Sequence, residues 1–142
     1  MVLRGRVWLE AAGLSAEDLF TLVADVEGYP AFLPWCRGVR VLADDGAGTR
    51  VVENRFGAGP FEARFVSRAT AEPPRRLTIA SSDGPFRALA LEWRFTDGQA
   101  SGEYSMTLRS PLLHGLARMA LPEMERRVVA RFQRRAAALG GR

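Results

Sequence analysis

One cysteine and one histidine set the first limit on the chemistry open to this chain. A thiol nucleophile needs a base held within hydrogen-bond reach, and Cys36 and His114 are the one pair of candidates. Cys36 follows Trp35 in an apolar run, which predicts a buried and inert thiol. His114 stands next to Leu113 and near Leu116 where a helical pattern begins, a surface or packing position. A disulfide framework is excluded, and so is a zinc site drawing several Cys or His ligands from this chain. Gly57-Ala-Gly-Pro60 lacks the following Lys and Ser or Thr of a phosphate loop, so it reads as a hairpin turn. Glu123 lies four residues before Arg127, the spacing of a surface ion pair on a helix. Glu125 falls nearer the apolar stripe. Two roles stay open for its carboxylate: the first turn of a helix restarting at Pro122, or contact with a ligand's head group.

Elements must position these groups, and their pattern is legible. Val2 to Glu10 alternates as a strand, with Leu3, Val7 and Leu9 on one face. Ser15, with Asp18 three residues on, predicts a capped helix carrying Leu19, Phe20, Leu22 and Val23 on its apolar side and ending near Asp25. From Cys36 to Arg109 the period becomes two. Turn signals at Asp44-Asp-Gly46, Gly57-Ala-Gly-Pro60, Glu72-Pro-Pro74, Asp83-Gly-Pro85 and Asp97-Gly98 divide that stretch into about six strands. Leu89, Leu91, Trp93 and Phe95 share a face, as do Tyr104, Met106 and Leu108, and Phe61, Ala63, Phe65 and Ser67. One dry face over successive hairpins means an antiparallel meander that something must cover. The cover is a helix from about Leu112 to Leu139, with Leu121, Met124, Val128, Phe132 and Leu139 on one side and Arg127, Arg131 and Arg134 on the other. Pro122 predicts a kink or restart within it.

The bulk numbers fit one domain over residues 1–142, 47% hydrophobic and 25% charged. All twenty basic residues are arginine and the net charge is +4, a mild excess that permits nucleic acid or anionic lipid and selects neither. No DNA partner is expected. The N-terminus has no apolar run suited to a signal peptide, and no stretch approaches the ~18 apolar residues of a membrane span. The expectation is a cytoplasmic protein, peripheral at most to the inner membrane.

A strongly twisted sheet closed by one helix tends to leave space between them, and that space is a candidate apolar pocket. The residues expected to line it come from three regions. Phe56, Phe65, Leu91 and Trp93 come from the middle strands, and Tyr104, Met106 and Leu108 from the last. Leu116, Ala120, Met124 and Val128 come from the helix. Pro30 and Pro34 stiffen a loop presenting Phe32, Leu33 and Trp35 at one end of the sheet. Two readings of that loop stay open: a plug of the sheet's end, or a portal that inserts shallowly into a bilayer. Polar dry-face residues are few, chiefly Asn54, Ser67 and Tyr104, which argues against an enzyme.

Val26-Glu-Gly-Tyr-Pro-Ala-Phe-Leu-Pro-Trp-Cys36 resembles the signature of the coenzyme Q-binding and ribosome-association-toxin-like family of the START-like superfamily. Glu72-Pro-Pro-Arg-Arg76, Asp83-Gly-Pro-Phe86, Trp93-Arg-Phe95 and Val128-Val-Ala-Arg-Phe132 are similar to it as well, so the resemblance spans essentially the whole chain. It implies an α+β helix-grip fold, a curved antiparallel sheet of about seven strands wrapped around a long C-terminal helix and enclosing a hydrophobic tunnel. It implies no cofactor, and ubiquinone or a similar isoprenoid lipid as ligand, in support of respiratory quinone function. Pro122 and the polar stretch Ser105-Met-Thr-Leu108 depart from the family's pattern. Two alternatives accompany this reading: binding to the large ribosomal subunit that blocks subunit joining, and a polyketide cyclase- or dehydratase-like enzyme.

Overall fold

A computed structural model describes residues 1–58 and 60–140 of the chain. The alternating N-terminal segment forms β1 (Leu3–Glu10), followed by α1 (Ala16–Ala24) and a 3-10 helix (Val26–Ala31). Six strands follow: β2 (Cys36–Asp44), β3 (Thr49–Ala58), β4 (Phe61–Glu72), β5 (Arg76–Ser81), β6 (Phe86–Thr96) and β7 (Gln99–Leu108). The chain then enters α2 (Pro111–Gly140). Each expected turn falls between two strands, although Gly59 and the Phe61 side chain lie outside the described residues. At the β2–β3 turn the Asp45 carboxylate accepts from the Ala47 and Thr49 amides at 2.7 and 3.0 Å. Those bonds hold its carboxyl below the ordinary carboxylate range. Gly46 and Gly48 supply the positive φ angles the tight turn needs.

The α1 boundary follows from capping chemistry. Ser15 Oγ accepts from the Asp18 amide at 3.1 Å, and Asp18 Oδ2 accepts from the Ser15 amide at 3.0 Å. Two otherwise orphaned donors are satisfied at once. Leu19, Leu22 and Val23 then turn inward.

All strand neighbours are antiparallel, in the order β1-β7-β6-β5-β4-β3-β2. Consecutive strands pair by hairpins except at the start, where α1 and the 3-10 helix carry the chain from one sheet edge to the other. At the β1 edge, Gln133 of α2 covers the free main chain. Its Oε1 accepts from the Glu10 amide at 2.7 Å and its Nε2 donates to the Glu10 carbonyl at 2.8 Å. An edge strand left bare invites pairing with other chains. One amide side chain blocks that end of it.

The fully packed core lies at the α1 end of the sheet. Leu9, Leu19, Val23, Leu77, Trp93, Phe95 and Ala100 are buried there together with Phe132 and Ala136 of α2. Phe132 joins the layers. Its ring lies 5.6 Å from Tyr29, 5.1 Å from Phe32 and 5.9 Å from Trp93. Gly102, directly across from Trp93 in the β6–β7 register, leaves room for the indole, since a Cβ there would sit 3.2 Å from the ring.

The expected kink or restart at Pro122 takes a different form: α2 is a single helix running through that proline. Pro122 sits on the exposed side of α2. The lost amide therefore frees the Arg118 carbonyl toward solvent rather than toward a packed core. The helix rests on β1 and β7.

Phe132→Ala should destabilise the protein by about 3–5 kcal/mol, the range for deleting a buried phenylalanine ring. Urea denaturation followed by tryptophan fluorescence measures it. A loss below about 1 kcal/mol would mean that this ring does not join the layers.

Candidate functional site

The inner face of the sheet has two ends with different fates. Toward α1 it is sealed, and Leu33, Trp93 and Phe95 are within the closed core. Toward the start of α2 the register pairs Leu91 with Tyr104, Leu89 with Met106, and Phe86 with Leu108. Ile79 lies across from Leu91 on β5. Phe56, Phe65 and Phe86 continue the surface as an edge-to-face series with ring separations of 5.3 and 4.9 Å. Phe65 is buried, but Phe56, Phe86, Leu89, Leu91, Met106 and Leu108 are each only partly so. Partly exposed apolar side chains on the inner face of a sheet mark a surface that the protein's own atoms do not fully cover.

The first half of α2 explains the gap. His114, Ala117, Leu121, Met124, Glu125 and Val128 form the half-buried side of the helix, leading to buried Phe132 and Ala136. Leu112, Leu113, Leu116 and Met119 turn the other way, with Leu116 56% and Met119 82% exposed. Leu116 and Ala120, expected to line the pocket, are on this outer side, which corrects their placement. The segment carries two apolar stripes, and packing selects the one through Ala117 and Leu121. Met124 and Val128 are on the inner side.

The loop between the 3-10 helix and β2 meets the core. Phe32 lies edge-on to both Tyr29 and Phe132, with the Arg135 guanidinium 5.3 Å from its ring. Leu33 is buried and Trp35 packs against the core cluster. Of the two readings of this loop, the geometry supports the plug. The Tyr29 hydroxyl donates to the Val23 carbonyl. Burial, then the charges of Cys36 and Asp25, push its pKa upward against the pull of Arg50. Burial also raises the Cys36 thiol, which is therefore a poor nucleophile.

Polar chemistry gathers where β1, β7 and α2 meet. Tyr104 Oη donates to Glu125 Oε1 at 2.5 Å. Gly5, Tyr104's neighbour on β1, makes this possible: a Cβ there would lie 2.2 Å from Glu125 Oε1 and 2.3 Å from Tyr104 Oη. Burial first, then the bond to Glu125 and its charge, raises the Tyr104 pKa, so the phenol stays a neutral donor. The pair borders a cleft of about 390 Å³ lined by Leu3 to Arg6, Arg118, Leu121 and Pro122. The sequence places Glu125 near the apolar stripe without showing its partner, gives His114 a surface or packing position, and offers no reading of Gly5. His114 Nε2 is buried with no hydrogen-bond partner. The signals are a glycine in mid-strand and a polar ring one turn before Ala117 and two before Leu121. Asn54 Nδ2 donates to buried Ser67 Oγ at 3.0 Å, so these two inner polar groups satisfy each other. Among the described residues no three His, Cys, Asp or Glu side chains gather as metal ligands.

Both tyrosines should resist ionisation while the protein is folded, which tyrosinate ultraviolet absorbance across an alkaline titration will show. Their folded pKa values stand above the unfolded value of ~10, so the stability they add is complete below that pH and lost as pH rises beyond it. Absorbance should rise only with unfolding. A step near pH ~10 in folded protein would contradict the burial described here.

Residues 13–133 match the family described as polyketide cyclase / dehydrase and lipid transport. The chain is 32% identical over 139 residues to a mitochondrial coenzyme Q-binding protein, the COQ10 homolog B of Xenopus laevis, covering 92% of this chain and 57% of that protein. It is 36% identical over 80 residues to the ribosome association toxin RatA of Pseudomonas aeruginosa, covering 56% of this chain and 55% of that protein. It thus spans little more than half the length of these curated relatives. The fold is that of the Zhui aromatase/cyclase from Streptomyces sp. R1128, with a TM-score of 0.74 at 19% identity over 95% of this chain and 96% of that one.

Proposed function

The chain belongs to the polyketide cyclase / dehydrase and lipid transport family, and from that membership we propose that it binds ubiquinone or another polyisoprenoid lipid as a carrier or chaperone. The observation that carries this reading is the unfilled apolar face formed by Phe56, Phe86, Leu89, Leu91, Met106 and Leu108. Magnitudes agree with a hydrocarbon tail. One five-carbon isoprene unit gains about 3–4 kcal/mol at roughly 0.8 per buried carbon. Two or three units reach about −8 kcal/mol, micromolar affinity, once ordering costs are subtracted. The name of the Xenopus relative points to coenzyme Q as the class of ligand.

A binding role also fits the chemistry better than catalysis. Cys36 opens β2 and His114 lies in the first turns of α2, after β7, with four strands between β2 and β7 in the sheet. They form no catalytic pair. The fold does host an aromatase/cyclase, but a fold does not carry an activity with it. The ribosome reading draws on the RatA relative and on the arginines of α2. Here Arg126 and Arg127 both bond Glu123, and Arg135 lies over Phe32, which weakens the basic surface available to RNA.

The exposed stripe of α2 suggests where the ligand is loaded. Leu112, Leu113, Leu116 and Met119 project from a stretch with no acidic residue between Ser110 and Pro122, flanked by Arg109 and Arg118. Such a face suits shallow, reversible docking on an anionic bilayer. Among the described residues no helix is long and apolar enough to cross a membrane.

Solvent extraction of purified protein followed by mass spectrometry should recover an isoprenoid lipid. Met106→Trp, which fills the gap, should lower the recovered amount several-fold without lowering the melting temperature. Lipid-free protein that also ignores added quinone analogues would end the carrier reading. Separately, Leu116→Glu with Met119→Glu should abolish co-sedimentation with anionic vesicles while leaving the folded spectrum intact. Unchanged sedimentation would remove α2 as the docking face.

A further inference from the structure

We propose that Glu125, held by Tyr104 under Gly5, is the head-group acceptor of the ligand site and selects a neutral head bearing an O–H donor, such as a hydroquinone, over its oxidised form. This rests on the carrier reading and deepens it.

The argument begins with an unfinished hydrogen-bond set. A carboxylate offers about four acceptor positions. Among the described residues Glu125 receives one bond, from Tyr104 Oη to Oε1, and forms no ion pair. Its Oε2 is not a sealed buried atom, and Glu125 lines the cleft between β1 and α2. Arginines are abundant in this chain and three of them, Arg4, Arg6 and Arg118, line the same cleft; Arg6 pairs with Glu103, and neither of the other two closes onto the carboxylate. A half-buried carboxylate with one protein partner, open to a cleft, calls for a donor from outside the chain.

The same charges narrow the donor's class. A cationic head would meet Arg118, which lines the same cleft, and an anionic head would meet Glu125. A neutral dipolar head satisfies both signs: its hydroxyl donates to Glu125 Oε2 while a neighbouring oxygen accepts from a guanidinium. A quinone has carbonyl acceptors only. It could bond Tyr104 only by drawing that phenol away from Glu125, which would leave the carboxylate without its partner.

Placement connects this polar point to the apolar face. In the sheet register Tyr104 stands between Gly5 on β1 and Leu91 on β6. Its ring therefore belongs to the wall that meets a tail, and its hydroxyl to the end that meets a head. Gly5 supports this division, because a larger residue would occupy the position of both oxygens. One side chain marks the boundary between the greasy and the polar part of the site.

The test compares three probes on the intact chain under anaerobic conditions, by titration calorimetry: a decyl hydroquinone, the corresponding decyl quinone, and the dimethyl ether of the hydroquinone. The hydroquinone should bind about tenfold more tightly than the other two, the scale of one hydrogen bond to a charged group. Glu125→Gln keeps the shape and removes the charge. It should erase the tenfold preference while leaving quinone affinity the same or higher, because the new amide can donate to a carbonyl. Equal affinity of the wild-type protein for all three probes would overturn the head-group assignment and leave the carrier reading standing. If none of the three probes binds folded wild-type protein, both readings are overturned.

Discussion

One helix has to cover the inner face of seven strands, and it cannot. The cylinder of an α-helix is about 10 Å across with its side chains, and neighbouring strands are about 4.8 Å apart, so α2 spans two or three strands of the sheet. It rests on β1 and β7. The remaining width is covered by α1 and the 3-10 helix at one end only, where Phe132 ties Tyr29, Phe32 and Trp93 into a continuous aromatic contact. At the other end β3 and β6 leave Phe56, Phe86, Leu89 and Leu91 only partly covered. The closed core and the unfilled face are consequences of the same shortage of cover.

Small residues set the depth at which large ones sit. Gly102 lies across from Trp93 and lets the indole press onto β7; Gly5 lies across from Tyr104 and leaves room for its hydroxyl to reach Glu125. Each pair is a glycine and an aromatic on adjacent strands, but the outcomes differ. Trp93 is sealed by Phe132 and serves stability. Tyr104 lies further along the sheet, beneath the part of α2 that packs loosely, and its polar end stays accessible. The same local device yields core in one place and a polar boundary in the other, according to what lies above it.

Much of the scaffold was legible from residues alone. Alternation and turn chemistry gave the strands from Cys36 onward because period two and Gly, Pro and Asp punctuation act locally, and the Ser15–Asp18 capping box fixed the start of α1 within a few residues of chain. The orientation of α2 was not legible in its first half. Leu112, Leu113, Leu116 and Met119 form one apolar stripe, and Ala117 and Leu121 belong to another. The helical wheel puts Leu121 inward with Met124, Val128 and Phe132, but it does not tell Leu116 and Ala120 from that side, and both are included in the expected lining. What decides the matter is the C-terminal half, where Phe132, Gln133 and Ala136 fix the rotation of the whole helix against β1 and the core. A helix that continues through Pro122 transmits that rotation upward. Tyr104 and Glu125 are on different elements, and Gly5 is remote from both in sequence, so that site exists only once the strands are in register.

The two halves of α2 also differ in how firmly they are held. The C-terminal half buries Phe132 and Ala136 and donates and accepts through Gln133. The N-terminal half buries no side chain fully, keeps Leu112, Leu113, Leu116 and Met119 outside, and loses one main-chain hydrogen bond at Pro122. Segments with few buried apolar contacts open at the lowest free energy. The loosely held turns stand beside the unfilled face and the Tyr104–Glu125 pair, so access to the site costs little without disturbing the Phe132 contact. A bound tail would return to these turns the apolar burial they lack, stabilising the assembly in proportion to the logarithm of ligand concentration over its dissociation constant. On the proposed reading, opening and filling would act on one end of α2, while the other end of the same helix holds the fold through Phe132 and Gln133.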